Sequence, residues 1–212
     1  MKNILITGCS SGLGNSLSHN KRHNIFTHYR TSDKLSSNSI IGDLNDINFL
    51  NTFDSFIKEK NINVFINNAG VYHSECLTNT SDQTVIDLIN TNLISPILLT
   101  KRICSYFKER GEGTIININS LAGKNPSSNE AVYCASKFGL SGFSKSLQIE
   151  LIGSGIEIVD LYPGAMKTRM TKHRPNYENL MDPDHISDLI YDIIENSKTY
   201  YLNEIVIRRK VK

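Results

Sequence analysis

The chain reads as short apolar runs separated by longer stretches of helical period. Runs of strand length, rich in Ile and Val, occupy residues 3–7 (NILIT), 24–29 (NIFTHY), 39–43 (SIIGD), 63–67 (NVFIN), 113–120 (GTIININS), 156–162 (IEIVDLY) and 203–209 (NEIVIRR). Segments 12–22, 46–60, 81–109, 130–152 and 183–197 carry the spacing of amphipathic helices. The last has its own start signal, with Asp182 as N-cap and Pro183 at the first helical position. Uniformly apolar strands alternating with helices predict βαβ units and a parallel sheet covered on both faces. No repeat, low-complexity tract or linker interrupts the pattern. Residues 1–212 therefore read as one doubly wound α/β domain with a mostly parallel sheet of seven strands and helices on both faces. Ligands of such sheets bind beyond the carboxyl ends of the strands, which is where chemistry should be sought.

Composition narrows the class without choosing a function. At 39% hydrophobic and 21% charged residues, 212 residues suffice for one sizeable core. A net charge of +2 offers no electrostatic case for nucleic acid or a membrane surface. The terminal basic run at 208–212 reads as a solvated end. No run reaches the roughly 20 apolar residues that span a bilayer. The opening MKNILITG reads as a strand entering a turn, not as a leader. Cys9, Cys76, Cys104 and Cys134 form no CxxC pair and the histidines no ligand pattern, so no disulfide framework or metal site is expected. A reducing cytoplasm suits such a chain.

The first strand runs into TGCSSGLG (Thr7 to Gly14), and a helix follows. Gly8, Gly12 and Gly14 let the backbone turn tightly. With Ser10, Ser11 and Leu13 they form a loop in which a pyrophosphate can approach the positive end of the helix. The second strand ends in Thr27-His28-Tyr29-Arg30-Thr31-Ser32, with no acid before Asp33. An acid there would bond the ribose 2′-hydroxyl of NAD. Arg30 instead suits a 2′-phosphate, to which Thr31 and Ser32 can donate. NADP(H) is thus favoured over NAD(H), the alternative being a solvated strand-end arginine. In AVYCASKFG, Tyr133 and Lys137 lie one turn apart on a helix face. Alone the pair would be packing. Beside a nicotinamide site, an ammonium that lowers the phenol's pKa from about 10 makes it a general acid/base.

The turn is spaced TGxxxGxG, and with it the chain resembles the short-chain dehydrogenase/reductase family, whose Rossmann-type fold is the one expected above. The resemblance runs from Lys2 to about Thr168 and is looser beyond, where NEIVIRR lacks the family's glycine-rich finish. It implies that Asn68, Ala69 and Gly70 of NNAG, together with Asp43 and Leu44, contact the cofactor. Pro163, Gly164, Met166 and Thr168 of PGAMKT would wrap its nicotinamide end. It also implies a tetrad of Asn92, Ser120, Tyr133 and Lys137. Ser120, thirteen residues before Tyr133, would orient the substrate oxygen, and Lys137 would hold the ribose. Asn92 would distort its helix and position a water leading to the lysine. A homodimer or homotetramer is likewise implied, with Tyr200 and Tyr201 at a subunit contact.

The expected activity is hydride transfer between NADP(H) and a small-molecule carbonyl or alcohol, with Tyr133 as general acid/base. The alternatives are a non-catalytic NADP-binding regulatory relative and, more remotely, a sugar-nucleotide epimerase or dehydratase. Loops at 71–80, 121–130 and 165–181 are expected to line the substrate pocket, the last as a flap. Its Lys167, Arg169, Lys172, His173 and Arg174 read either as an anion-recognising cluster or as a solvated loop.

Overall fold

The central strands show no inside-outside alternation of polarity because both of their faces are buried. The computed structural model describes residues 1–31, 36–196 and 202–210. Ser32, Tyr200 and Tyr201 lie outside the described residues. The elements run β1 (Asn3–Ile6), α1 (Gly12–Ser18), β2 (Asn24–Tyr29), β3 (Ser39–Ile41), α2 (Phe49–Glu59), β4 (Val64–Asn67), α3 (Asp82–Ile89), α4 (Ser95–Arg110), β5 (Gly113–Ile118), α5 (Ala131–Glu150), β6 (Ile156–Pro163), α6 (Pro183–Asn196) and β7 (Glu204–Ile207). The strand order is β3-β2-β1-β4-β5-β6-β7, and every neighbouring pair is parallel. The sheet is thus wholly parallel. Its order reverses between β1 and β4, which opens a crevice at their carboxyl ends.

Successive residues of each central strand serve opposite cores. Leu5, Phe65, Ile115 and Ile158 face α2 and α4, packing with Phe49, Phe53, Leu99, Ile103 and Phe107. Ile4 and Ile6, Val64 and Ile66, Ile116 and Ile118, and Val159 and Leu161 face α1 and α6, packing with Leu17, Ile186, Ile190 and Tyr191. Asp182 caps α6 as expected, its Oδ1 accepting the Asp184 N–H at 3.0 Å. Among the described residues no helix is long and apolar enough to cross a membrane.

Two local departures from the sequence reading shape the site. The single helix expected over 81–109 is two, α3 and α4, joined by a π-helical turn at Asn90–Ile94, the distortion that the resemblance implies at Asn92. Pro96 near the start of α4 has no N–H to return to the Asn92 carbonyl, which weakens the regular ladder there. The second departure is a polar row inside the sheet. Asn67, Asn117 and Asp160 are in register across β4, β5 and β6. Asn67 Nδ2 donates to Asn117 Oδ1 (2.9 Å), and Asn117 Nδ2 donates to Asp160 Oδ1 (3.0 Å). Ser144 from α5 donates to the same Asp160 oxygen (2.6 Å), and Tyr162 donates to Asp160 Oδ2 (3.1 Å). The face of α5 against the sheet is correspondingly small and polar, with Ser136, Ser141 and Ser144 buried.

The apolar core can be tested at its centre. Phe65 on β4 is fully buried and packs edge-on against Phe53 with centroids 5.5 Å apart. Phe65→Ala should cost about 3–5 kcal/mol in urea unfolding. A loss below ~1 kcal/mol would contradict the packing described.

Candidate active site

The glycine turn is held from behind by the end of β4. Thr7 Oγ1 accepts the N–H groups of Asn68 and Ala69, each at 3.0 Å. The Asn68 amide donates back to the carbonyls of Thr7 (2.8 Å) and Gly8 (3.2 Å). Gly14 cannot carry a side chain: a Cβ there would stand 2.3 Å from the Gly8 oxygen. Gly12 has φ +58°, and its missing Cβ leaves room for Thr168 of the PGAMKT segment at 3.1 Å. Asn68 therefore acts by shaping the turn, and Leu13 buries its side chain in the core, so only its backbone faces the loop.

His28, not singled out in the sequence, ties the turn to the next strand. It is buried, its Nδ1 accepts the Gly8 N–H (3.2 Å), and its Nε2 donates to the Gly42 carbonyl (2.9 Å). Burial lowers its pKa, so the ring stays neutral, as this pair of bonds requires.

The turn suits an anion. Ser11 at the N-cap of α1 provides no side-chain cap, and the N–H groups of Gly12 and Leu13 find no partner among the described residues. Uncapped N–H groups at a helix start are a ready site for phosphate. Ser10 and Ser11 are exposed beside them, and Arg30 and Thr31 lie exposed at the end of β2 without counter-charge among the described residues. Asp43 is also exposed and accepts the Asn45 N–H at 2.9 Å, whereas Leu44 is buried. These residues fit a dinucleotide.

The tetrad residues converge at the ends of β4 and β5. Asn92, in the π-helical turn, pairs with the Val71 peptide as a strand would: Oδ1 accepts its N–H and Nδ2 donates to its carbonyl, both at 2.8 Å. Gly70 leaves this space open, since a Cβ there would meet Asn92 Oδ1 at 3.2 Å and Lys137 Nζ at 3.9 Å. Lys137 is buried, and its ammonium donates to the Ile118 carbonyl at 3.1 Å. Desolvation lowers its pKa to about 8, against which the nearby Asp160 works. Ser120 is oriented by its neighbours: its N–H donates to Asn119 Oδ1 (2.9 Å) and its Oγ accepts the Ala122 N–H (3.1 Å). Asn119 in turn donates to the Lys137 carbonyl (3.3 Å), tying β5 to α5.

Tyr133 differs from the sequence expectation. Burial pushes its phenol up to about 12, and the hydrogen bond from Ser120 works in the opposite direction. Glu130 and Tyr72 add to the rise, and the Arg174 guanidinium of the flap works against it. Lys137 Nζ stands 6.0 Å from the Tyr133 ring centroid and is taken up by Ile118.

Next to Tyr72 opens a cavity of about 520 Å³, drawn from all three expected loops but lined by none of the tetrad residues. Tyr72 comes from the first, Leu121 and Glu130 from the second, and His173 and Arg174 from the flap. Tyr72 meets Tyr133 edge-on at 5.0 Å. Tyr72 OH donates to Glu130 Oε1 (2.6 Å), and Arg174 Nη2 donates to both Tyr72 OH (2.7 Å) and Glu130 (2.8 Å). This triad was not foreseen, because its members are distant in sequence, nor was the lining residue Arg209, which read as part of a solvated end. Lys167 pairs instead with Glu178 (3.2 Å), and Arg169 and Lys172 do not line the cavity.

The model of the short-chain dehydrogenase family matches residues 2–179. The chain belongs to that family. A Rickettsia prowazekii 3-oxoacyl-[acyl-carrier-protein] reductase is 31% identical over 180 residues, covering 80% of this chain and 75% of the relative. The ketoacyl reductase HetN from Nostoc sp. is 34% identical over 143 residues, covering 65% of this chain and 50% of the relative. This chain spans about half the length of several of the curated relatives it matches. The alcohol dehydrogenase from Thermococcus sibiricus, solved with 5-hydroxy-NADP, has the same fold at TM-score 0.89 and 20% identity, covering 100% of this chain and 98% of that one.

For this member of the short-chain dehydrogenase family the buried lysine gives a pH signature. Lys137 has its folded pKa lowered to about 8 from 10.5. Below about pH 8 both states hold the proton and the folded state bears the full burial penalty. Between about 8 and 10.5 the folded state releases its proton first, so this group's contribution to stability rises with pH. Tyr133, raised to about 12 from 10.0, adds stability below pH 10 that is lost toward 12, a separate window. Lys137→Met should flatten the rise between pH 8 and 10 in the urea midpoint. Parallel curves for the two proteins would show that the ammonium is not buried.

Proposed function

We propose that the protein is an NADP(H)-dependent oxidoreductase that interconverts a carbonyl compound and its alcohol, with Tyr133 as general acid/base. The observation that carries this reading is the gathering of Tyr133, Ser120, Lys137 and Asn92 at the ends of β4 and β5, next to an uncapped glycine turn. Bound NADPH supplies the hydride that adds to the carbonyl carbon. As the carbonyl electrons withdraw to oxygen, Tyr133 delivers its phenolic proton there, and the product is the alcohol. Ser120 holds the same oxygen through its hydroxyl, which Ala122 and Asn119 keep in place. A phenol pushed up to about 12 retains its proton at neutral pH, which suits the reducing direction. The relatives named as oxoacyl and ketoacyl reductases support the same direction. Lys137 would bond the nicotinamide ribose, with Asn92 and the Val71 peptide framing the approach to it. Oxidation of the alcohol uses the same groups in reverse.

NADP(H) is preferred in this reading because Arg30 and Thr31 are exposed where the second ribose would lie, and no carboxylate precedes Asp33.

Tyr133→Phe should reduce turnover by about a hundredfold or more while NADPH affinity, read by nucleotide fluorescence, stays within a few-fold. Normal turnover by this variant would sink the assignment. Arg30→Ala should narrow the preference for NADPH over NADH by about tenfold, one charge-assisted contact. An unchanged ratio would remove Arg30 from the phosphate site.

A further inference from the structure

The cavity at Tyr72, whose ring packs on Tyr133, is lined by two arginines, Arg174 and Arg209, and by one carboxylate, Glu130. The carboxylate is already used. Glu130 Oε1 accepts from both Tyr72 OH and Arg174 Nη2, and its side chain is only 11% exposed. Arg174 is therefore neutralised along one edge and fixed there. Its guanidinium also lies over the Tyr72 ring, 5.1 Å from the centroid. The remaining donors, Nε and Nη1, take no partner among the described residues. Arg209 makes no ion pair or hydrogen bond among the described residues either.

We propose that this cavity takes a carbonyl compound bearing an anionic group, a carboxylate or phosphate ester, which the open edge of Arg174 and Arg209 hold while the carbonyl meets Tyr133. The inference rests on the oxidoreductase reading and names its substrate class. Three features carry it. A guanidinium locked on one edge loses little freedom when the other edge takes an oxyanion. A partly enclosed cavity strengthens a charge-charge contact over its value in open water. One positive charge is left over after Glu130 and Arg174 pair, before His173 is counted. The position also limits the ligand. Tyr72 touches both groups, its ring 5.0 Å from the Tyr133 ring and 5.1 Å from the Arg174 guanidinium, so the anion and the carbonyl are brought to the same ring. A carbonyl compound that carries its own anionic group fits this better than a neutral chain. General attraction by the flap plays no part, since Arg169 and Lys172 lie outside the cavity lining and Lys167 is paired.

The test compares each short oxo acid with its own amide, and each phosphorylated ketone with its unphosphorylated parent, in NADPH oxidation by the full chain. The charged member should have the higher kcat/KM by at least about tenfold. Which pair shows the larger ratio identifies carboxylate or phosphate. Arg209→Ala and Arg174→Gln should each reduce that ratio, chiefly through KM. Turnover of amides and parents with no preference for their charged partners would overturn the inference and leave the oxidoreductase reading standing. Failure of every carbonyl compound would sink that reading. The anion site is then judged by a binding arm, thermal shift in the presence of NADP. Malonate should raise the melting temperature where malonamide does not, and Arg209→Ala should abolish the difference. Equal shifts for the two probes would overturn the anion site.

Discussion

An ammonium removed from water must be met by fixed dipoles, and Lys137 sets that requirement at the centre of this molecule. Its side chain is buried and its Nζ is received by the Ile118 carbonyl at the end of β5. That single contact demands that α5 dock closely on the strand, and the contacts around it make this possible. Asn119 bonds the Lys137 carbonyl, and Gly123 passes so near that a Cβ would stand 2.9 Å from the same oxygen. Gly70 leaves the space above the ammonium free, and Asn92 borders that space by pairing with Val71. Moving α5 away from β5 would take the Ile118 carbonyl from the ammonium and strand a charge in a low-dielectric interior, which costs far more than a lost surface pair.

The polar row of Asn67, Asn117 and Asp160 explains how a sheet buried on both faces tolerates such a charge. These side chains satisfy one another across three strands and accept Ser144 from the helix above. Burial raises the Asp160 pKa, and the hydrogen bonds from Ser144, Asn117 and Tyr162 oppose that rise. Its negative field favours the charged form of Lys137 in turn. A fully satisfied buried network of this kind specifies one register, because a slip of one residue would orphan every member.

The flap completes the site from the other side. Arg174, Glu130 and Tyr72 come from three separate loops, and their hydrogen bonds close the cavity wall next to Tyr133. The phenol thereby sits between a desolvating aromatic neighbour and a cation. Desolvation wins, which keeps the Tyr133 phenol protonated at neutral pH.

Much of this was legible in the order of residues. Alternating apolar runs and helical periods dictate the parallel sheet, since strands without polar alternation must be covered on both faces. The glycine turn and the Tyr133–Lys137 step were readable because their geometry is local: a few residues of loop, or one turn of helix. The break in the helix over 81–109 was legible only through the family resemblance, which implies a distortion at Asn92, and the pairing of Asn92 with Val71 was not legible at all. Likewise Asn67, Asn117 and Asp160 looked like isolated polar residues within apolar strands, and Arg209 like part of a solvated tail. Their roles depend on strand register and loop closure, which join residues far apart in sequence. Local conformation is set by neighbours along the chain. The environment that decides whether a lysine is charged, or a tyrosine keeps its proton, exists only once the chain has folded around them.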